Sequence, residues 1–273
     1  MLALPSAAYF LFLEAAVGGV IALFWLQTRH ELPRGFILFT SVCLVIAGGL
    51  AAWLRSSFPP VVVADISIAP TYWFALERTL SFAFGLLLSV YIVSVRVEAW
   101  RGVRNVVAPL VPLIGLGWLW SAALVDTNAQ LGGIGAPLAV LAGAMALGSA
   151  LVGLSLGHWY LVSPSLAVRP LIGVTFLCLA AVVVQIVLIP VLLLAPGPRP
   201  DRLATLFSDS VLFFAVRVVF GLIVPLAALF MTWRTARIRS LDSATGLLYI
   251  VVALVLAGEI AARTLFFLTG VAT

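Results

Sequence analysis

Eight hydrophobic runs follow one another along this chain, at about 6–27, 35–54, 72–95, 106–125, 135–158, 170–195, 209–233 and 243–269. A bilayer core about 30 Å thick is crossed by roughly 20 apolar residues in α-helical form, so each run suffices for one crossing. The pattern predicts an all-α fold, a polytopic integral membrane bundle of eight transmembrane helices, multi-pass in the cell membrane. Composition agrees: 64% of the 273 residues are hydrophobic, 9% are charged and the mean hydropathy is +1.24, which excludes a soluble globular class. The lipid bilayer is therefore the first partner, and there is no room for a large extramembrane domain. The N-terminus has no basic segment ahead of its first run, so that run is expected to stay as a helix.

The short connections predict one transmembrane domain over 1–273. A division into four-helix halves, 1–130 and 131–273, is suggested by Arg78 preceding Arg96 and Arg217 preceding Arg234 at nearly equal spacing, and by Gly85-Leu86 matching Gly221-Leu222. All 15 basic residues are Arg. Nine of them (Arg29, Arg34, Arg96, Arg101, Arg104, Arg169, Arg234, Arg237, Arg239) fall in connections on one side, against Arg55, Arg199 and Arg202 on the other. The positive-inside rule then puts both termini on the non-cytoplasmic side and makes the arginines topology determinants, with no nucleic-acid partner. Pro59-Pro60 and the Pro196 to Pro200 stretch fall in the outer connections, where proline suits a turn.

Charges inside the runs carry the functional signal. Glu259 and Arg263 stand four residues apart in the last run and share one helix face. Counted from the helix ends at 1.5 Å per residue, Glu14, Glu77, Arg78, Arg217, Glu259 and Arg263 all lie roughly 7–15 Å below the outer surface. Three acids and three bases make a layer that can be neutral, as a low-dielectric interior requires if charges are to persist. One account is a packing network that joins helices 1, 3, 7 and 8. The other is a polar pocket in the outer half, where Glu77 and Glu259 exchange protons with a bound group while Glu14, Arg78, Arg217 and Arg263 bind or orient it.

The remaining polar and aromatic residues read first as structure. His158 ends helix 5 among Trp159 and Tyr160, and His30 follows helix 1 on the same side, so both belong to loop edges. Tyr72, Trp73, Trp118 and Trp120 read as an interfacial aromatic belt whose secondary use would be to flank an aromatic headgroup entering from the lipid. Gln185 is expected to hydrogen-bond across a helix interface, and the Gly143-Ala144-Met145-Ala146-Leu147-Gly148 segment to allow close packing. With two histidines and two separate cysteines, Cys43 and Cys178, no metal site is expected in this chain. Motifs for a serine hydrolase, a Walker nucleotide site or a zinc peptidase are also missing from the sequence.

The residues Ala257-Gly258-Glu259-Ile260-Ala261-Ala262-Arg263-Thr264-Leu265-Phe266-Phe267 resemble the final helix of the dimethyl sulfoxide reductase membrane-anchor family, with Ala262 where that family has glycine. Tyr9-Phe10-Leu11-Phe12-Leu13-Glu14-Ala15-Ala16-Val17-Gly18-Gly19 is similar to its opening helix. The resemblance implies an eight-helix anchor with both termini outside, which takes electrons from a membrane quinol to an iron-sulfur partner. It also implies quinone or quinol as cofactor, iron-sulfur and catalytic subunits of a redox complex as partners, and Glu77 as the positional analogue of an acid near the quinol site. A transporter for a small ion or solute and a structural membrane scaffold are the alternatives from the residues alone.

Overall fold

The computed structural model describes residues 3–29, 31–58, 62–63, 66–67, 72–126, 134–163, 166–194 and 200–273. Its helices are α1 (Ala3–Arg29), α2 (Arg34–Ser57), α3 (Tyr72–Arg96), α4 (Arg101–Val125), α5 (Gly135–Val162), α6 (Arg169–Leu194), α7 (Pro200–Phe207), α8 (Val211–Ala215), α9 (Val224–Arg237) and α10 (Leu241–Thr269). A π-helical segment, Val216–Ile223, joins α8 to α9, so that Val211–Arg237 forms one span. Among the described residues eight spans are long and apolar enough to cross a membrane, and each coincides with one of the runs read from the sequence. The departure from an all-helical chain is small: strands β1 (Val62–Val63) and β2 (Ile66–Ser67) pair antiparallel in the connection between α2 and α3.

Consecutive spans alternate in direction, which brings both chain ends to one end of the bundle, where the Phe10 and Phe267 rings approach to 6.0 Å. At the opposite end Arg34 pairs with Glu98 at 2.5 Å and Arg239 donates to the Leu166 carbonyl. His158 is exposed there, as expected of a loop edge, whereas His30 lies outside the described residues, as do Pro59-Pro60 and Pro196 through Arg199.

Helices α1 and α5 are the most enclosed and cross backbone to backbone. A Cβ on Gly18 would stand 1.7 Å from the Ala144 carbonyl oxygen, and one on Gly148 would stand 2.1 Å from the Gly18 carbonyl carbon. The small residues of α5 thus do what their size suggests: without tall side chains between them, the two helices reach van der Waals contact along their backbones. Around this pair the neighbours follow the same order in both halves. α2 packs between α1 and α3, and α3 packs on α4; α6 packs between α5 and the seventh span, and the seventh packs on α10.

Candidate functional site: a buried charge cluster beside a lipid-facing cavity

The intramembrane charges form two clusters at the end of the bundle that holds the termini, separated by α1. In the first, the Arg55 guanidinium of α2 lies between two carboxylates. Its Nε donates to Glu77 Oε1 of α3 at 2.7 Å, and its Nη2 to Asp126 Oδ2, at the end of α4, at 2.9 Å. Tyr9 of α1 donates its hydroxyl to the same Glu77 Oε1, and the Arg55 guanidinium carbon stands 4.3 Å from the centre of the Tyr9 ring. Four helices are tied by one cation, since an arginine fork can serve two carboxylates at once. Glu77 and Asp126 are buried, and Glu77 Oε2 has no hydrogen-bond partner among the described residues.

Beside this cluster lies a cavity of about 600 Å³, bordered by Tyr9, Arg55, Glu77 and Trp118 on its inner wall and by Trp53, Phe74, Arg78, Ser81 and Phe82 toward the surface. Trp53 is 59% and Phe82 67% exposed, so the cavity opens sideways between α2 and α3, at the face a helical bundle turns to lipid. Trp118 is 1% exposed and packs on Phe84 with ring centroids 5.4 Å apart. Its assignment to an interfacial belt is therefore corrected: α4 turns this ring inward, to the floor of the cavity. Tyr72, Trp73 and Trp120 do keep exposed surface, as belt residues would.

The second cluster is closed. Arg217, in the π segment, donates to Glu259 Oε1 at 3.0 Å, to Gln185 Oε1 at 2.6 Å and to the Thr273 carbonyl at 3.3 Å. Arg263 reaches Glu259 Oε2 and the Ala139 carbonyl, each at 3.3 Å. Its Nε also stands 2.9 Å from Glu14 Oε1, although no N–H is aligned on that oxygen, so this contact is Coulombic. Two acids and two bases balance within α1, α10 and the seventh span. Gly143 makes room for them: a Cβ there would lie 2.5 Å from Glu259 Oε2. Packing around Gln185, Arg217 and Thr273 leaves no space for a water among the described residues. Gln185 also donates to the Ala142 carbonyl at 3.0 Å, the interhelical bond expected of it.

The single layer of six residues read from the sequence is thus replaced by two sites. Glu14, Arg217, Glu259 and Arg263 come together, Glu77 stands apart in the cavity cluster, and Arg78 is exposed on its rim. Neighbouring residues on an α-helix point about 100° apart, and α3 turns Glu77 inward and Arg78 outward. Arg55 takes the place assigned to Arg78; the sequence pattern sets it in a connection and does not mark Asp126 or Tyr9. Arg55 did leave a trace, as one of few arginines on the arginine-poor side and the one contiguous with an apolar run. Among the described residues no group of three or more His, Cys, Asp or Glu side chains is placed to hold a metal ion.

These features define a multi-pass membrane protein with one closed and one lipid-accessible polar cluster. No family model matches the chain, and no curated protein matches it either.

Proposed function

We propose that this chain is the membrane subunit of a respiratory-type redox complex, which binds quinol or quinone in the α2–α3 cavity and exchanges electrons with an iron-sulfur partner at the termini end, on the non-cytoplasmic side. The observation that carries this reading is Glu77: a buried carboxylate with one oxygen held by Tyr9 and Arg55 and the other unpartnered, on the wall of an aromatic-lined cavity. A volume of about 600 Å³ suits a small-molecule headgroup, and a mouth toward lipid suits one that arrives on an apolar tail.

A quinol hydroxyl donates to Glu77 Oε2, and its proton passes to that oxygen as electrons leave for the partner. Tyr9 and Arg55 fix the carboxylate through Oε1, so that the receiving oxygen is already oriented. The rings of Trp118 and Phe74 form walls on which the headgroup stacks, and Arg78 at the rim presents a donor to its second oxygen. Arg217, Glu259, Arg263 and Glu14 serve this reading as the lock that holds α1 against α10, apart from the cavity that Glu77 borders.

The test is quinol oxidation by the purified complex carrying Glu77→Gln, with thermal stability as the folding control. Glutamine keeps the size and the acceptor for Tyr9 but takes no proton at neutral pH. A folded variant slowed on the order of a hundredfold is expected, the usual loss for a positioned acid-base group. Unchanged turnover would contradict the assignment.

A further inference from the structure

The end of the bundle opposite the termini is strongly basic: nine arginines of the described residues fall there, against the carboxylates of Glu31, Glu98 and Asp242. Some of these guanidiniums are already engaged. Arg29 and Arg237 lie over the indole rings of Trp25 and Trp233 at 5.0 and 4.8 Å, and Arg239 donates to the Leu166 carbonyl. At the corner between α2 and α4 they converge instead.

There a single 3₁₀ turn, Glu98–Trp100, joins α3 to α4, so that Glu98 stays at the foot of α4. Arg34 of α2 reaches this carboxylate at 2.5 Å, and Arg101 and Arg104 lie within its Coulombic reach. The latter two stand three residues apart at the start of α4 and share one helix face. Arg34, Arg101, Arg104 and Glu98 together carry a net charge of +2. Among the described residues neither Arg101 nor Arg104 has a hydrogen-bond or salt-bridge partner. A guanidinium fork left free in this way can take two oxygens of a phosphate.

An apolar stripe runs from these arginines toward the middle of the bilayer. Val103, Val106, Leu110 and Leu113 recur three or four residues apart on α4 and are all exposed, Val106 and Leu113 to 63% and 61%. Trp100, also exposed, stands at the head of the stripe, the depth an interfacial indole favours. We propose that this corner is a binding site for an acidic phospholipid, with its phosphate held by Arg101 and Arg104 and an acyl chain laid along the α4 stripe. Charge and shape together select that occupant. A zwitterionic headgroup brings its own cation and leaves the excess charge in place, and a free phosphate has nothing to lay on the stripe. Basic pockets between helices at a membrane surface take acidic headgroups for this reason. The site is independent of the quinol reading, since the α2–α3 cavity opens at the other end of the bundle.

Thermal unfolding of the purified full chain in detergent, with phosphatidylglycerol, phosphatidylcholine or inorganic phosphate added, tests this, and native mass spectrometry counts the lipid retained. Phosphatidylglycerol is expected to raise the melting temperature and to be retained about tenfold better than phosphatidylcholine. A basic residue near an acidic lipid surface contributes about fivefold in affinity. Arg101→Gln/Arg104→Gln should therefore weaken phosphatidylglycerol binding on the order of tenfold or more, while Arg234→Gln/Arg237→Gln, at another corner of the same end, leaves it unchanged. Equal retention of the two lipids, a preference that survives Arg101→Gln/Arg104→Gln, an equal loss in both double variants or equal stabilisation by inorganic phosphate would each overturn the proposal. A photoreactive phosphatidylglycerol on the wild type decides even where a variant does not fold. Its crosslinks should fall on residues 103–113 and be displaced by excess phosphatidylglycerol; crosslinks that avoid this stretch would contradict the site.

Discussion

Arg263 is the residue on which the closed cluster turns, because it serves Glu259 and Glu14 together from a position 2% exposed. Replacing it by leucine removes the ion-pair partner of Glu14 and leaves Glu259 with Arg217. Breaking a buried pair in this way costs about 3–5 kcal/mol. Adding Glu14→Leu removes the stranded charge and leaves Arg217 with Glu259, so the Arg263→Leu/Glu14→Leu double variant should recover part of the loss. The measurement is the folded fraction in detergent as a function of denaturant; a double variant weaker than the single one would show that Glu14 is held by something other than Arg263. Half of this network was legible beforehand. Glu259 and Arg263 are joined by helical spacing alone, and depth placed Arg217 and Glu14 near them. Depth says nothing of azimuth, however, and that is why Arg78 was counted in and Arg55 left out: only the packing of α2 against α3 decides which guanidinium turns inward.

At the scale of elements, close approach of backbones sets the positions of both clusters. The seventh span meets α10 where Gly221 faces Gly258, and a Cβ on either would come within 2.6 Å of the other's Cα. Gly221 and Arg217 both lie in the π segment, in which Val224 N–H bonds to the Val219 carbonyl, five residues back. The segment ends two residues before Pro225, which has no N–H to give, and a widened turn is one way a helix accommodates that loss. Gly221→Leu is therefore expected to push α10 outward and to separate Arg217 from Glu259, with a loss of about 1–3 kcal/mol typical of overpacking and a further cost from the broken pair. Ala at the half-buried Gly85, whose Cβ would meet nothing within 4 Å, should be neutral in the same unfolding assay. Comparable losses at both positions would remove the special status of the crossing. The small residues of α5 announced their contact with α1 in the sequence; the π segment did not, because its run is as apolar as any other and the hydrogen-bond shift has no compositional mark.

For the whole molecule, the eight spans were legible because bilayer thickness imposes one length on every crossing, whereas the cavity was not, since it is a gap between α2 and α3 that no single run contains. The orientation expected from the arginine count is open to labelling. Gly132 and Pro198, which the hydrophobic pattern sets in outer connections, lie outside the described residues; Ile134 and Ser208 are described and exposed at the termini end. In a background without Cys43 and Cys178, cysteines at 134 and 208 should react with an impermeant reagent from the non-cytoplasmic side, and cysteines at the exposed Arg101 and Arg237 should not; the opposite pattern would invert the topology.

The central claim is that a quinone headgroup occupies the α2–α3 cavity beside Glu77. A photoreactive quinone analogue, added to the purified wild type in lipid nanodiscs and mapped by peptide mass spectrometry, addresses it most directly. Labelling is expected on the cavity wall at Trp53, Phe74 or Phe82, displaced by excess unlabelled quinone. A second groove of about 440 Å³, bordered by Trp73, Leu80, Leu116, Trp120 and Leu141, is also open at the surface but has no charged side chain among the described residues on its walls, which makes it the internal control. Labelling confined to that groove, or labelling that unlabelled quinone does not displace, would contradict the account.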